Sequence, residues 1–282
     1  LVARENVQQA NALVEATTQP PSRRSTAPAS SIGGWAVAAA LLLVLPVSLF
    51  FAVNAASFFV SALLINRLRH GEEHDPHAAA PSIREGISAL RPRPALAAGV
   101  VALGLAVTFT AGSWIGGMPT LVRDTLHHGA GAFSIVMVGY AVGSIASGAV
   151  LARVPVAHKA RVSLLAWCLY LPAYGLIAFA HSLPLVVAGS FFAATGQSTS
   201  VVLLNSAAQE NVPDALLGRV LGVISLTHRG AHATGLLLVS PLFAVVSARA
   251  VFGASAVAVP LIGLSGLAVA ARAHGTRRSR RS

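Results

Sequence analysis

The feature that most constrains this chain is the spacing of its charges. Stretches of bilayer length without Asp, Glu, Lys or Arg lie between Arg24 and Arg67, Arg93 and Arg123, Asp124 and Arg153, Arg161 and Glu210, Arg229 and Arg249, and Arg249 and Arg272. A hydrocarbon core ~30 Å thick is crossed by ~20 mostly apolar helical residues. The first and fourth intervals are long enough for two such spans joined by a turn. Charged residues make up 10% of the chain, against about 25% in soluble domains, so a water-soluble fold is excluded. Lipid offers no partner to an unpaired peptide group. The expected fold class is therefore an all-α integral membrane helical bundle.

The formal net charge of +11 invites a nucleic-acid reading, but basic residues that alternate with apolar spans are topology determinants. No nucleic-acid partner is expected. One set of alternate connections carries fifteen basic residues: Arg67, Arg69, Arg84, Arg91 and Arg93; Arg153, Lys159 and Arg161; Arg219 and Arg229; Arg272, Arg277, Arg278, Arg280 and Arg281. The opposite connections carry only Arg123 and Arg249. The positive-inside rule makes the basic side cytoplasmic and predicts six spans from about Ala95 to Ala271, with both ends of that block inside. Upstream, residues 1–24 are a cytoplasmic loop before a weak span. Residues 25–66 cross twice if Arg4, Arg23 and Arg24 are also inside, with Pro46 as the turn, or once as a single tilted span. Residues 67–94 form a central cytoplasmic loop and 272–282 a basic tail suited to anionic headgroups.

Internal similarity extends this division. Glu5-Asn6-Val7 and Glu210-Asn211-Val212 each lie in a polar segment just before an expected span on the same side. That is the pattern of two repeated halves, the first mostly absent. The runs Leu1 to Val7, Ala10 to Leu13, Asn54 to Phe58, Gln209 to Asp214 and Gly218-Arg219-Val220 together resemble major facilitator exporters of the enterobactin-exporter-like branch. Gly148 to Arg153, with His158, Lys159 and Arg161, resembles the second-half copy of that superfamily's cytoplasmic loop signature. Ala152 stands at its usual acidic position and Pro155 in place of its second glycine. The resemblance implies a major-facilitator-type bundle holding about helices five to twelve, with the missing N-terminal half of the same transporter as partner. It also implies a location in the plasma membrane with a cytoplasmic C-terminus, a small-molecule substrate, no cofactor and no enzymatic activity.

Polar residues inside spans are the candidate substrate contacts, because a cavity tolerates them and lipid does not. Asn54, Thr108, Thr110, Ser113, Trp114, Tyr140, Gln197, Thr199 and Asn205 qualify by position; a helix-to-helix hydrogen bond is the plainer role for each. His228, Arg229 and His232 form the sharpest cluster. A span beginning at Val220 puts Arg229 about 14 Å deep, whereas a span beginning after Arg229 leaves it an anchor. His232 is the better placed to carry a proton. Gly148, Arg153, Lys159, Arg161, Glu210, Asp214, Gly218 and Arg219 are candidates for a cytoplasmic gate, with positive-inside anchoring as the alternative for the cations. The pairs Gly112 with Gly116, Gly139 with Gly143, and Gly218 with Gly222 are expected to let helices approach closely.

Other chemistries lack their residues. Every acidic residue lies outside the expected spans, Cys168 is the only cysteine, and no Gly-rich phosphate loop precedes Lys159. No metal site is expected, and the His70 to His77 cluster reads as a solvated linker. Ile83 to Leu90 is expected to form an amphipathic helix on the inner membrane surface. The functional expectation is a secondary active exporter of small amphiphilic molecules that works by alternating access. The alternatives are a permease subunit of an ATP-driven system and a non-transporting remnant or scaffold.

Overall fold

The computed structural model describes residues 82–279, together with Ala56, Phe59, Val60 and Leu63. The expectations for Asn54, Pro46, the residue 25–66 crossings and the His70 to His77 linker lie outside the described residues. Helix α1 covers Ile83–Leu90 and α2 Pro94–Gly112. Helix α3 is Ala130–Arg153, α4 Lys159–Ala166, α5 Tyr170–Ala178, α6 Leu183–Asn211, α7 Asp214–Val239 and α8 Ala248–Ser279. Among the described residues there is no strand. Five helical segments among the described residues are long and apolar enough to cross a membrane: Pro94–Thr125, Gly131–Arg153, Lys159–Ala178, Leu183–Asn211 and Ala248–Ala273. The remaining long helix, α7, carries Asp214, Arg219 and Arg229.

Prolines set the local irregularities. Pro94 and Pro184 sit in the first turns of α2 and α6, where a missing N–H costs nothing. Pro119 interrupts the continuation of α2, which passes through π-helical turns at Ser113–Gly117 and Leu121–Thr125. A proline inside a helix removes one backbone hydrogen bond and clashes with the preceding turn, and wider turns relieve that conflict. Pro172 acts similarly on α4 and α5, which are joined by a 3-10 turn at Trp167–Leu169.

Helix contacts run in an arc: α3 on α6, α6 on α4 and α5, these on α8, α8 on α2, and α2 on α7. The α3–α6 contact is close because its residues are small. A side chain at Gly143 would strike the Phe191 carbonyl, and one at Gly139 would come 2.7 Å from Val187 Cγ1. Ser144 bonds Ser198 at 2.7 Å, Ser147 bonds Thr199 at 2.8 Å, and Thr195 Oγ1 donates to the Gly143 carbonyl at 3.2 Å. At the α2–α7 crossing Gly112 and Gly235 meet backbone to backbone. Gly218 and Gly222 face open space, so of the three expected glycine pairs only this one makes no close approach.

Helix α7 is continuous from Asp214 through Arg229 to Val239, and both positions considered for the start of its span lie within it. Helix α1 forms over the expected residues, but it packs on the bundle as well as presenting an apolar surface. Gly86, Ala89 and Leu90 are buried, and a Cβ on Gly86 would come 2.7 Å from the Arg219 carbonyl. Ile83 and Ile87 remain exposed on the other side.

Candidate functional site

The arc leaves a cleft lined by Thr110, Ala111, Trp114, Ile115, Tyr140, Tyr170, Tyr174, Gln197 and His232. Five segments supply these residues: α2 with its π-helical extension, α3, α5, α6 and α7. The hydroxyls of both buried tyrosines are held by neighbours. Tyr170 donates its hydroxyl to Gln197 Oε1 at 3.0 Å, and Tyr174 donates to the Thr110 carbonyl at 3.2 Å. Both tyrosines are 1% exposed, so these bonds replace lost hydration and fix the rings. The rings themselves form two groups. Trp114 lies 4.9 Å from Tyr140, Tyr170 4.9 Å from Tyr174, and Tyr174 5.0 Å from Phe252.

The extra residue in the π-helical turn changes which side chains reach the cleft. Ser113 is fully buried and bonds Ser255 of α8 at 3.2 Å, with a second bond to the Phe109 carbonyl. Trp114, the next residue, lines the cleft. Thr108 donates to the Gly104 carbonyl at 2.9 Å within its own helix. Asn205 is half-buried farther along α6 and does not line the cleft. His232 reaches the cleft and meets the His228 ring edge-on at 4.8 Å, while its Nδ1 lies 3.0 Å from the His228 carbonyl. The His228 Nε2 atom is buried without a hydrogen-bond partner. Arg229 is exposed on the face of α7 that points away from its contact with α2, about 22 Å along the axis from Asp214. The cleft therefore gathers Trp114, Gln197 and His232 from the expected contacts, together with Thr110 and Tyr140. It leaves Thr108, Ser113, Asn205, His228 and Arg229 outside its lining.

Tyr170 and Tyr174 belong to the cleft and were not singled out from the sequence. Each sits in an apolar run that reads as core. The available signal was Pro172 between them, since a broken helix in a membrane exposes irregular backbone that lines a cavity or is covered by protein.

The gate candidates divide into two clusters at one end of the bundle. Lys159 pairs with Glu210, joining the start of α4 to the end of α6. Arg219 pairs with Glu85, joining α7 to α1. Arg161 lines the same pocket as Lys159 and Glu210. Arg153 is exposed at the end of α3, Gly148 is buried one turn earlier, and Asp214 starts α7. All four described acidic residues, Glu85, Asp124, Glu210 and Asp214, stand outside the middle of the spans. No group of three or more metal-ligating side chains occurs among the described residues.

A multi-span helical bundle with a polar and aromatic cleft at the meeting of five segments fits a membrane transport protein. The family model of the Major Facilitator Superfamily matches residues 1–236, and the chain belongs to that superfamily: it is a multi-pass membrane transporter. No curated protein and no solved structure matches it.

Proposed function

We propose that this protein is a secondary active exporter of small amphiphilic molecules, working by alternating access in the plasma membrane with its basic end in the cytoplasm. The observation that carries this reading is the cleft itself. Aromatic faces from Trp114, Tyr140, Tyr170 and Tyr174 offer apolar area, and Gln197 and His232 offer hydrogen bonds among them. Such a lining suits a molecule with one apolar and one polar part.

The cleft's volume of about 70 Å3 is far below the ~300–1,000 Å3 of a drug-sized site. It is one wall of a pathway whose facing wall comes from the first half of the same transporter. Rocking of the two halves then opens the site alternately to each side. The Lys159–Glu210 and Arg219–Glu85 pairs tie neighbouring helices together at the basic end, and in this reading they hold that end of the bundle in one state of the cycle.

The test is energy-dependent efflux of a fluorescent amphiphile from cells that express the full-length protein. Gln197→Ala and Trp114→Ala are expected to reduce efflux while surface expression is retained. Undiminished efflux by both variants would refute the cleft as the substrate site.

A further inference from the structure

The basic end of the bundle holds a second cavity, separate from the aromatic cleft. It measures about 460 Å3 and is lined by Pro92 to Leu96, Ala157 to Arg161, and Ala207, Glu210 and Asn211. Its full charges are Arg93, Lys159 and Arg161 against Glu210 alone. Glu210 is committed to Lys159. Arg93 is held in place by neutral groups, donating from Nε to the Asn211 carbonyl and from Nη1 to the Ala89 carbonyl, each at 2.6 Å. Among the described residues no carboxylate is paired with it. The N-termini of α2 and α4 both open on this cup, and their dipoles favour the same sign of ligand.

At Pro94 the cup meets an apolar groove. Its walls are α2, with Ala97, Ala98, Val101, Ala102 and Leu105, and α8, with Leu261, Ile262, Gly266 and Val269; its volume is about 650 Å3. From Pro94 to Leu105 the groove runs about 16 Å along the helix at 1.5 Å per residue. One leaflet of a bilayer has a hydrocarbon depth of about 15 Å, half of the whole. A cup lined mainly by cations thus continues into an apolar groove about as long as one leaflet is deep.

We propose that these two cavities form a binding site for an anionic phospholipid, the phosphate-bearing headgroup in the cup on Arg93 and Arg161 and one acyl chain in the groove between α2 and α8. The ligand joins α2, α4, α6 and α8 at one end of the bundle and strengthens the packing of that end.

Native mass spectrometry of the full-length protein, released from detergent, tests the site with phosphatidylglycerol and phosphatidylcholine of identical acyl chains. Phosphatidylglycerol is expected to be retained preferentially. Arg161→Gln is expected to weaken its retention about fivefold, the worth of one cation near an anionic lipid surface. Arg161→Lys keeps most of it, and Arg123→Gln, at the opposite end, leaves it unchanged. Ala98→Trp, which fills the groove, is expected to weaken both lipids. Equal retention of the two lipids, or retention of phosphatidylglycerol unchanged in Arg161→Gln, overturns the proposal. Displacement of phosphatidylglycerol by inorganic phosphate, together with full retention in Ala98→Trp, also overturns it, because the cup would then be a site for free anions. The two arginine variants decide the question even if Ala98→Trp does not fold.

Discussion

Gly143→Ala is expected to destabilise the bundle, and Gly218→Ala to stabilise it, although both replace a helical glycine by the best helix former. Taken alone, the exchange favours the helix by about 0.5–1 kcal/mol, because glycine loses more backbone freedom on ordering. At Gly218 nothing lies within 4 Å of the added carbon, so that gain stands. At Gly143 the added carbon would overlap the Phe191 carbonyl oxygen and lie 2.9 Å from the Phe191 carbonyl carbon. Those atoms belong to the backbone of α6 and cannot rotate aside as a side chain would. Overpacking of this kind costs about 1–3 kcal/mol, which outweighs the helical gain. Separating α3 from α6 also stretches the Ser144–Ser198 and Ser147–Thr199 bonds. Thermal unfolding in detergent, followed by the monodisperse fraction on size exclusion, reads the difference. At about 2–4 °C per kcal/mol, Gly143→Ala should lower the apparent Tm by several degrees and Gly218→Ala should raise it slightly. A rise of equal size in both variants would refute the close α3–α6 approach.

Three further outcomes follow from the same contacts. Tyr170→Phe leaves Gln197 Oε1 without its 3.0 Å donor and should cost about 1 kcal/mol of stability, read in the same thermal assay; no loss would mean that water replaces the hydroxyl. Double-mutant cycles should give a coupling of about 1 kcal/mol for Lys159 with Glu210, whose side chains are 13% and 29% exposed, and less for Arg219 with Glu85, at 30% and 50%; the reverse order would contradict the burial. A reporter active only in the cytoplasm should work when fused after Ala157 or Thr276 and fail at Ser182, and activity at Ser182 would sink the assignment of sides.

The helices were legible in the sequence because a bilayer imposes a length on every charge-free run, and the bounds of these runs at Arg93, Arg153, Arg161 and Glu210 mark segment ends within a few residues. Helix α7 was harder. Arg229 interrupts its apolar character, so charge spacing leaves two starting points for its span, both inside one continuous helix that buries Val220, Val223, Ile224, Ala231 and Gly235. Within the cleft, Trp114, Gln197 and His232 were legible as polar or amphipathic groups in otherwise apolar surroundings. Ser113 was singled out by the same logic, yet it turns toward Ser255, because side-chain direction within one helical turn is set by the π-helical geometry and not by residue type. Tyr170 and Tyr174 escaped notice because a tyrosine in a span reads equally as core or as cavity wall, and only the break at Pro172 separates the two readings.

The central claim is that the cleft lined by Tyr140, Gln197 and His232 is part of a water-accessible transport pathway. With Cys168, the only cysteine, replaced by Ser, single cysteines at Tyr140, Gln197 and Leu171 can be exposed to a membrane-impermeant thiol reagent in sealed vesicles of either orientation. The account predicts labelling at Tyr140 and Gln197 from at least one side, slowed by a transported amphiphile, and none at Leu171, which is exposed on the outer surface of α5. Labelling at Leu171 with Gln197 and Tyr140 inert from both sides would contradict it.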